Sequence, residues 1–295
     1  MDSVREQLSK IFPGLPTSNV VASHRFMRAS DYLGQRKATI SFFGGTNALK
    51  SHMFIRGNWK VSPLDLLLLR NVVLLGVGWR QYQGAVDLPS RLFFNTALSK
   101  RFIHSVRDEH ALKLLGSCIK NVVNTSCVTL WNMSPSACAM VPVKKARKVI
   151  YATTYYAPHV SDLAIFNYLK TVYEEVYFWV QQAPDAGYAN DIGMTGYTPI
   201  EQSVAAYNRI LETEDVDFVG ARLHGGIRAL QKGRRALILS VDNRAKEIAR
   251  DTGLSVMERD DLSAIKEWVE SPRPFTLRLP TEAIDTWRGQ FRSGL

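Results

Sequence analysis

The 295-residue chain contains little cysteine: three residues, Cys118, Cys127 and Cys138, with no Cys-x-x-Cys pair among them. An odd number of thiols without short spacing provides neither a disulfide framework nor a zinc site. We therefore expect ordinary buried thiols in a reducing compartment. The sequence also lacks a cluster of carboxylates or histidines with metal-ligand spacing, so no metal and no cofactor is expected.

Long apolar runs are missing as well. The longest, Leu66 to Trp79, is interrupted by Arg70 and Asn71 and is too short to span a bilayer. The N-terminus carries Asp2 and Glu6 and lacks the apolar stretch of a signal peptide. These absences predict a cytoplasmic protein.

Acidic residues are fewer than basic ones: 27 Asp and Glu stand against 37 Lys and Arg, a formal net charge of +10. Such a balance is compatible with nucleic acid, an anionic membrane surface or acidic substrates. No recognised nucleic-acid motif is present, so nucleic acid is not expected as a partner. Peripheral contact with the anionic inner face of a membrane stays open.

Strand-like and helix-like segments alternate along the chain, which is typical of parallel sheets with crossover helices. The length favours two domains. The basic run Lys144–Lys148 precedes a new strand, so we place the first domain at 1–140 and the second at 141–275. A tail at 276–295 is expected to pack back on the first domain. The predicted fold class is α/β, with two Rossmann-like doubly wound domains facing a cleft.

The apolar periodicity predicts individual elements. Strands are expected at Val20–Ala22, Val149–Thr153, Val176–Val180, Val216–Val219 and Ala236–Ser240. Helices are expected at Thr198–Glu212 and Gly226–Lys232.

The most informative segment runs from Val216 to Gly226, where an apolar strand ends in a glycine pair that carries Arg222 and His224. In open α/β sheets the carboxyl ends of the strands form the ligand crevice. A helix that starts there directs N–H groups and a partial positive charge at a bound anion. Arg222 supplies a planar fork for carboxylate or phosphate, and an imidazole such as His224 exchanges a proton near neutral pH. The segment predicts chemistry on a small anionic substrate.

The same segment carries a family resemblance. Gly220–Gly226, followed by Ser240–Lys246, resembles the C-terminal signature of polysaccharide pyruvyl transferases: Arg-Leu-His-Gly, helix, strand, then Ser-Tyr-Asp and a basic residue. Val241 stands where tyrosine is common.

Three upstream segments resemble further family elements in the same order: a Gly-Gly loop at Phe42–Asn47, a short glycine strand at Leu75–Gly78 and an Arg-Asp segment at Ser105–Glu109. The resemblance covers residues from about 39 to about 255. It implies two Rossmann-like domains facing a cleft, as in glycosyltransferase-B-type folds.

The resemblance implies a transferase of exopolysaccharide biosynthesis. Such an enzyme moves an enolpyruvyl group from phosphoenolpyruvate, its donor substrate, to a sugar of a surface polysaccharide or a lipid- or nucleotide-linked precursor, and closes a pyruvate ketal. In this reaction Arg222 is expected to bind and orient the anionic donor, and His224 is expected to transfer the proton. The helix start, with Leu223, Gly225 and Gly226, is expected to bind the departing phosphate, where negative charge accumulates.

Four first-domain residues are expected to form the opposite, acceptor-side wall of the cleft. They are Arg107, Asn47, Gly44 and Gly45. Structural interpretations stay open beside these roles: Arg107 as a surface ion-pair partner, and Gly44 and Gly45 as a plain strand-to-helix turn.

Two other function classes remain open. A nucleotide-sugar glycosyltransferase of the same fold would also place basic residues and a helix start on a diphosphate, and a non-catalytic basic binding protein would use the charge alone. Structural interpretations also stay open for the two central residues: Arg222 as an ion-pair partner of Asp217 or Asp242, and His224 as a helix-start residue hydrogen-bonded to the backbone. Tyr155 and Tyr156 are candidate core aromatics or a sugar platform.

Members of the family normally begin with a strand and a Gly-Asn-x-Gly-Asp-like loop before the first helix. This chain begins at Asp2–Arg5, inside what would be that helix. We therefore expect the first domain to lack its N-terminal strand, with truncation as the favoured explanation.

Overall fold

Every strand of this protein pairs with its neighbours in parallel within the residues described by the computed structural model, which are 2–13, 21–55, 57 and 59–292. The chain divides into two compact units, Met1–Trp131 with Arg278–Leu295, and Asn132–Leu277. The expected mixed α/β fold with parallel sheets is confirmed. The division precedes the expected boundary at 140, and the C-terminal segment that belongs to the first unit begins at Arg278.

The first unit begins with helices and alternates thereafter. Its elements are α1 (Asp2–Ile11), α2 (Ala29–Lys37), β1 (Ser41–Gly44), β2 (Asn47–Leu49), α3 (Asp65–Leu68), β3 (Val72–Leu75), β4 (Gly78–Trp79), α4 (Leu88–Ala97), β5 (His104–Val106), α5 (Glu109–Gly116), β6 (Val122–Asn124) and a 3₁₀ turn (Val128–Leu130). In the described residues before β1 there is no strand. Of the strand expected at Val20–Ala22, Val20 lies outside the described residues, and Val21 and Ala22 have no regular structure.

The strands of the first unit follow the order β1, β3, β5, β6. β1 pairs with β3 and β5 with β6, while β2 pairs with β4 beyond the ends of β1 and β3. β3 and β5 are joined by the N–H of Val77, which donates to the carbonyl of Ser105 at 3.3 Å, and by that of Gly76, which donates to Ser105 Oγ at 2.8 Å.

The second unit contains a six-stranded sheet. Its elements are α6 (Pro135–Ala139), β7 (Lys148–Ala152), α7 (Asp162–Val172), β8 (Glu175–Trp179), α8 (Ala183–Asp191), β9 (Thr198–Ile200), α9 (Val204–Thr213), β10 (Val216–Gly220), α10 (Leu223–Gln231), β11 (Ala236–Leu239), α11 (Asn243–Thr252), β12 (Val256–Met257) and α12 (Leu262–Glu270). A last helix, α13 (Thr281–Gly289), belongs to the first unit.

The six strands lie in the order β12-β11-β10-β7-β8-β9. This is the doubly wound order 3-2-1-4-5-6, in which the chain reverses direction across the sheet between its first and fourth strands. Here that switch point lies between β7 and β10, where Gly220 is in register with Ala152. Both strands are nearly all buried because helices cover both faces of the sheet.

Two sequence-based expectations for the second unit are wrong in detail. The helix expected over Thr198–Glu212 divides into β9, where Pro199 is tolerated because β9 is an edge strand, and α9, which begins after the N-cap Ser203. The helix expected from Gly226 begins earlier, at Leu223. Among the described residues, no helix has the length and apolar character needed to cross a membrane.

Candidate functional site

A pocket lies at the switch point of the second unit, beyond the carboxyl ends of β7, β10 and β11. It has a volume of about 90 Å³. Its lining includes Tyr156 after β7, Arg222 and His224 after β10, and Asp242 and Arg244 after β11. The two residues predicted to carry chemistry, Arg222 and His224, are thus brought together in one pocket.

Arg222 is buried and its guanidinium is held on two sides. Nη2 donates to Asp185 at 2.7 Å to Oδ1 and 2.5 Å to Oδ2, and Nε donates to the carbonyl of Thr153 at 3.1 Å. A guanidinium has five N–H donors, and these contacts use three of them. The two hydrogens of Nη1 make no hydrogen bond within the part of the chain that the structure describes. A ligand would therefore meet Arg222 through Nη1 alone.

Asp185, the partner of Arg222, is fully buried in the first turn of α8. Its Oδ2 also accepts the N–H of Gln182 at 2.8 Å, and its Oδ1 accepts the N–H of Tyr155 at 3.2 Å. The carboxylate therefore joins the start of α8 to the segment after β7 and fixes the arginine between them. The sequence left open an ion pair of Arg222 with Asp217 or Asp242; Arg222 does form an ion pair, but its partner is Asp185.

Asp217 is engaged elsewhere. It lies near the start of β10, where it accepts a hydrogen bond from Tyr173 Oη at 2.7 Å and lies 3.6 Å from Arg235 Nη1. Burial raises the pKa of the Asp217 carboxyl to about 6, against the opposing effects of Arg235 and Tyr173. The group belongs to the base of the sheet and not to the pocket.

The start of α10 forms one wall of the pocket. Its N-cap is Arg222, a side chain without an acceptor atom, so no side chain caps the helix from that position. The N–H groups of Leu223 and Gly225 make no hydrogen bond to the described part of the chain, whereas that of Gly226 donates to the carbonyl of Arg222 at 3.0 Å. Exposed His224 lies in the same first turn. The helix start therefore presents N–H groups and a partial positive charge to the pocket.

The glycine pair has a packing function. A Cβ on Gly226 would lie 2.5 Å from Ile238 Cγ1, and one on Gly225 would lie 3.1 Å from Trp179 and 3.2 Å from Phe218. Glycine at both positions lets α10 approach the sheet closely. Gly225 also lines the pocket, whereas the N–H of Gly226 donates to the carbonyl of Arg222; contact of either residue with phosphate stays a prediction.

A second ion pair borders the pocket at the start of α11. Asp242 is the N-cap of α11 and accepts the N–H of Arg244 at 2.9 Å, while Arg244 Nη2 lies 2.6 Å from Asp242 Oδ2. Burial opposes the charge of Arg244, but hydrogen bonds and the charge of Asp242 outweigh it and raise the pKa of Arg244. Each arginine of the pocket thus lies against a carboxylate that offsets its charge.

Tyr156 covers the pocket from the β7 side. Its ring is half exposed, and the guanidinium carbon of Arg222 lies 5.2 Å from its centroid. Tyr155 packs edge-on against Tyr156 at 5.7 Å. Tyr156 is therefore a pocket residue and not a core aromatic.

The residues predicted on the acceptor side all lie in the first unit. Arg107 follows β5 and is almost completely buried; its Nη2 donates to Asn47 Oδ1 at 2.7 Å and its Nε lies 3.6 Å from Asp108 Oδ2. The alternative of a surface ion pair for Arg107 is therefore wrong, because the pair lies inside the unit. A direct contact of Arg107 or Asn47 with substrate stays a prediction.

Gly44 and Gly45 lie against α1. A Cβ on Gly44 would approach Val4 Cγ1 to 2.8 Å, and one on Gly45 would approach Val4 Cγ2 to 2.6 Å. Gly45 also has a φ of +67°, a conformation that favours glycine. Helix packing and turn geometry thus account for both glycines, and their contact with substrate stays a prediction.

Sequence reasoning missed Asp185 as a member of the site. It named Tyr156 only as a possible sugar platform, and Asp242 and Arg244 only as parts of the family signature. Asp185 had a local signal, because Pro184 followed by an acidic residue is typical of a helix start. The pairing of Asp185 with Arg222 had no signal in the sequence, because this pairing depends on the order of the strands in the sheet. Among the described residues, no group of three or more His, Cys, Asp or Glu could hold a metal ion.

Comparison with known proteins identifies the family. The profile of the polysaccharide pyruvyl transferase family matches residues 1–243. The chain belongs to the polysaccharide pyruvyl transferase family, and it is an enzyme of the transferase class. The match includes the Arg222–Gly225 segment and begins before the upstream segments that carry the resemblance in the sequence.

No curated protein matches the chain. Among solved structures, the chain is similar to that of MnaA of S. aureus in its co-structure with UDP, at 12% sequence identity and a TM-score of 0.49. That similarity covers 93% of this chain and 81% of the other.

Proposed function

We propose that this enzyme transfers the enolpyruvyl group of phosphoenolpyruvate to a sugar of a surface polysaccharide or its precursor and closes a pyruvate ketal. The observation that carries the proposal is the uncapped start of α10 in the switch-point pocket, beside the Arg222 side chain that Asp185 holds. The family supplies the transferase class. No metal and no cofactor enters this proposal.

The donor would lie over the first turn of α10. Its phosphate would accept the N–H groups of Leu223 and Gly225, and Nη1 of Arg222 would donate to the phosphate or the carboxylate. Helix starts are suited to phosphate because N–H groups and the helix dipole act together. These donors are already in place before the substrate binds, so they stabilise charge on the departing phosphate at little reorganisation cost.

The reaction balances without an added reagent. The C3 methylene takes up one proton, and two C–O bonds form between C2 and the two sugar oxygens. The bond between C2 and the phosphate oxygen breaks, and inorganic phosphate leaves with the second hydroxyl proton. His224, exposed in the first turn of α10 and lining the pocket, is assigned the proton transfer.

The acceptor would be positioned at the rim of the donor pocket and by residues of the first unit. Tyr156, half exposed at the rim, offers an aromatic face of the kind on which a sugar ring packs. The first-unit residues Arg107 and Asn47 are kept as acceptor-side predictions.

Thermal unfolding in the presence of candidate donors tests the proposal. Phosphoenolpyruvate at a hundredfold excess over its dissociation constant should stabilise the protein by about 2.7 kcal/mol, which raises the melting temperature measurably. Inorganic phosphate and uridine diphosphate serve as controls at the same concentration. A larger shift with the nucleotide diphosphate than with phosphoenolpyruvate would favour a nucleotide-sugar glycosyltransferase and reject the proposal.

A further inference from the structure

The positive charge of the chain is confined to one unit. The segments of the first unit contain 20 Lys and Arg against 9 Asp and Glu, a formal charge of +11, whereas the second contains 17 against 18, a charge of −1. The donor pocket lies in the second unit. The excess therefore lies in the unit that does not contain the pocket.

Six exposed cations of the first unit stand at or near the starts of its strands. Arg36 and Lys37 end α2 before β1, Arg70 precedes β3, Lys100 and Arg101 precede β5, and Lys120 precedes β6. Strands of a parallel sheet all start at the same edge. We call these six residues the basic edge; it is opposite to the carboxyl edge, where ligands of open α/β sheets bind.

Hydrogen bonds hold the loops of the basic edge side by side. Gln35 Nε2 donates to the carbonyl of Arg70, which links the end of α2 to the residue before β3. The N–H of Ser99 donates to the carbonyl of Val72 at 2.9 Å, and Asn121 Nδ2 donates to the carbonyl of Ser99 at 3.0 Å. The six cations are therefore neighbours on one surface and are not scattered over the unit.

The charge of the basic edge is not compensated locally. The connecting segments 36–40, 69–71, 99–103 and 117–121 contain no Asp or Glu. Within the described residues, none of the six cations forms an ion pair. Arg101 packs over the ring of Phe102 at 5.0 Å, and Arg70 donates to the carbonyl of Leu69 at 2.7 Å. The surface keeps its full positive potential.

Exposed leucines adjoin the basic edge. Leu64, Leu67 and Leu68 lie at or in α3, which ends two residues before Arg70, and Leu67 is 70% exposed. The exposed leucines at the start of α4, Leu88 and Leu92, lie at the other end of that helix from Lys100 and are not part of this surface. Large apolar side chains beside uncompensated cations form the combination by which peripheral proteins bind anionic bilayers.

We propose that the basic edge, together with the exposed leucines of α3, docks the protein on an anionic lipid bilayer. The cations complement lipid phosphates and the leucines enter the boundary between headgroups and acyl chains. A nucleic acid would neutralise the same cations but would leave the leucines in water, so the bilayer accounts for both features. This inference goes beyond the proposed function and does not depend on it.

Vesicle flotation measures the docking directly. We expect the full chain to bind vesicles containing phosphatidylglycerol, to bind pure phosphatidylcholine vesicles at least tenfold more weakly, and to lose binding as salt rises. Lys100→Glu combined with Arg101→Glu should weaken binding to the anionic vesicles by about tenfold or more. The matched control combines Lys144→Glu with Arg209→Glu, two exposed cations of the second unit; it changes the net charge equally and should stay within about threefold of the parent.

A second pair of variants separates the apolar contribution. Leu64→Ser with Leu67→Ser should weaken binding at a salt concentration that screens most of the electrostatic attraction, with an unchanged melting temperature as the check on folding. Equal binding to both vesicle types, or equal loss in the two charge variants, would overturn the proposal. Tighter binding to a single-stranded oligonucleotide than to anionic vesicles would also overturn it and assign the surface to nucleic acid.

Discussion

Nη2 of Arg222 donates to both carboxylate oxygens of Asp185, so the arginine predicted to bind the donor anion is itself held by a buried carboxylate. The planar fork expected to grip the donor is directed at a buried carboxylate and at the carbonyl of Thr153. What remains for the donor is Nη1. The residue type is still decisive, because only a guanidinium can make these contacts at the same time.

The first prediction concerns Arg222. Arg222→Ala should weaken phosphoenolpyruvate binding by about ten- to a hundredfold, which corresponds to ~1.5–3 kcal/mol for a charge-assisted hydrogen bond. Arg222→Lys should recover little of this, because one ammonium cannot contact Asp185, Thr153 and the donor together. Titration calorimetry with phosphoenolpyruvate gives both affinities. Parent-like affinity of the lysine variant would contradict the geometry.

The second prediction concerns the buried pair itself. Asp185→Ala should lower the free energy of unfolding by ~3–5 kcal/mol, because it leaves the buried Arg222 without its counter-charge. Combining it with Arg222→Met should be less destabilising than the sum of the two single changes by more than ~1 kcal/mol. Urea unfolding of the four proteins measures the coupling. Strict additivity would show that the pair contributes nothing.

The third prediction assigns the proton transfer. His224→Ala should lower turnover by roughly 10²–10⁴ and leave phosphoenolpyruvate affinity within a few fold, because the donor contacts come from N–H groups and Arg222. His159→Ala is the matched control: His159 lies in the same unit, 3.0 Å from Asp260, and does not line the pocket. If His224→Ala keeps full turnover, His224 does not transfer the proton and its role is structural.

The fourth prediction concerns pH and stability in the first unit. His104 is buried, accepts the N–H of Leu74 at Nδ1 and lies 2.8 Å from the carbonyl of Ser99 at Nε2; burial lowers its pKa to about 4. Below pH 6.5 the imidazole of His104 becomes protonated in the unfolded chain but stays neutral in the folded one. The free energy of unfolding therefore decreases as the pH falls. Between pH 7 and 5 the loss should be about 2 kcal/mol.

Urea unfolding of the parent and of His104→Gln tests this effect. The variant is expected to be less stable at pH 7 but to lose about 2 kcal/mol less than the parent on going to pH 5. Asp217, with its raised pKa, contributes a slope of opposite sign, but it does so in both proteins and cancels in the comparison. Identical pH slopes would reject the assignment to His104.

The local part of the site could be read from the sequence, and the long-range part could not. The apolar run before Arg222 predicts strand β10 to within one residue, because a fully buried parallel strand is continuously apolar. The predicted start of α10 is three residues late, because glycines are poor helix formers and only their packing against Trp179, Phe218 and Ile238 explains them.

The Asp185 contact shows where sequence reasoning stops. Asp185 follows β8 and Arg222 follows β10; only β7 separates these two strands in the sheet, although β9 and α9 lie between the two residues along the chain. Local patterns carry no information on that order. The same applies to the basic edge, whose six cations come from four separate segments and meet only because their strands are parallel.

The central claim is that this enzyme converts phosphoenolpyruvate and a sugar into a pyruvate ketal and phosphate. The most direct measurement incubates the protein with phosphoenolpyruvate and a galactose- or mannose-containing glycan, then quantifies released phosphate and, by mass spectrometry, acid-labile pyruvate on the glycan. We predict equal amounts of both products, formed roughly 10²–10⁴ times more slowly by His224→Ala. Phosphate release without pyruvate on any such glycan, or no phosphate release despite tight phosphoenolpyruvate binding, would contradict the account.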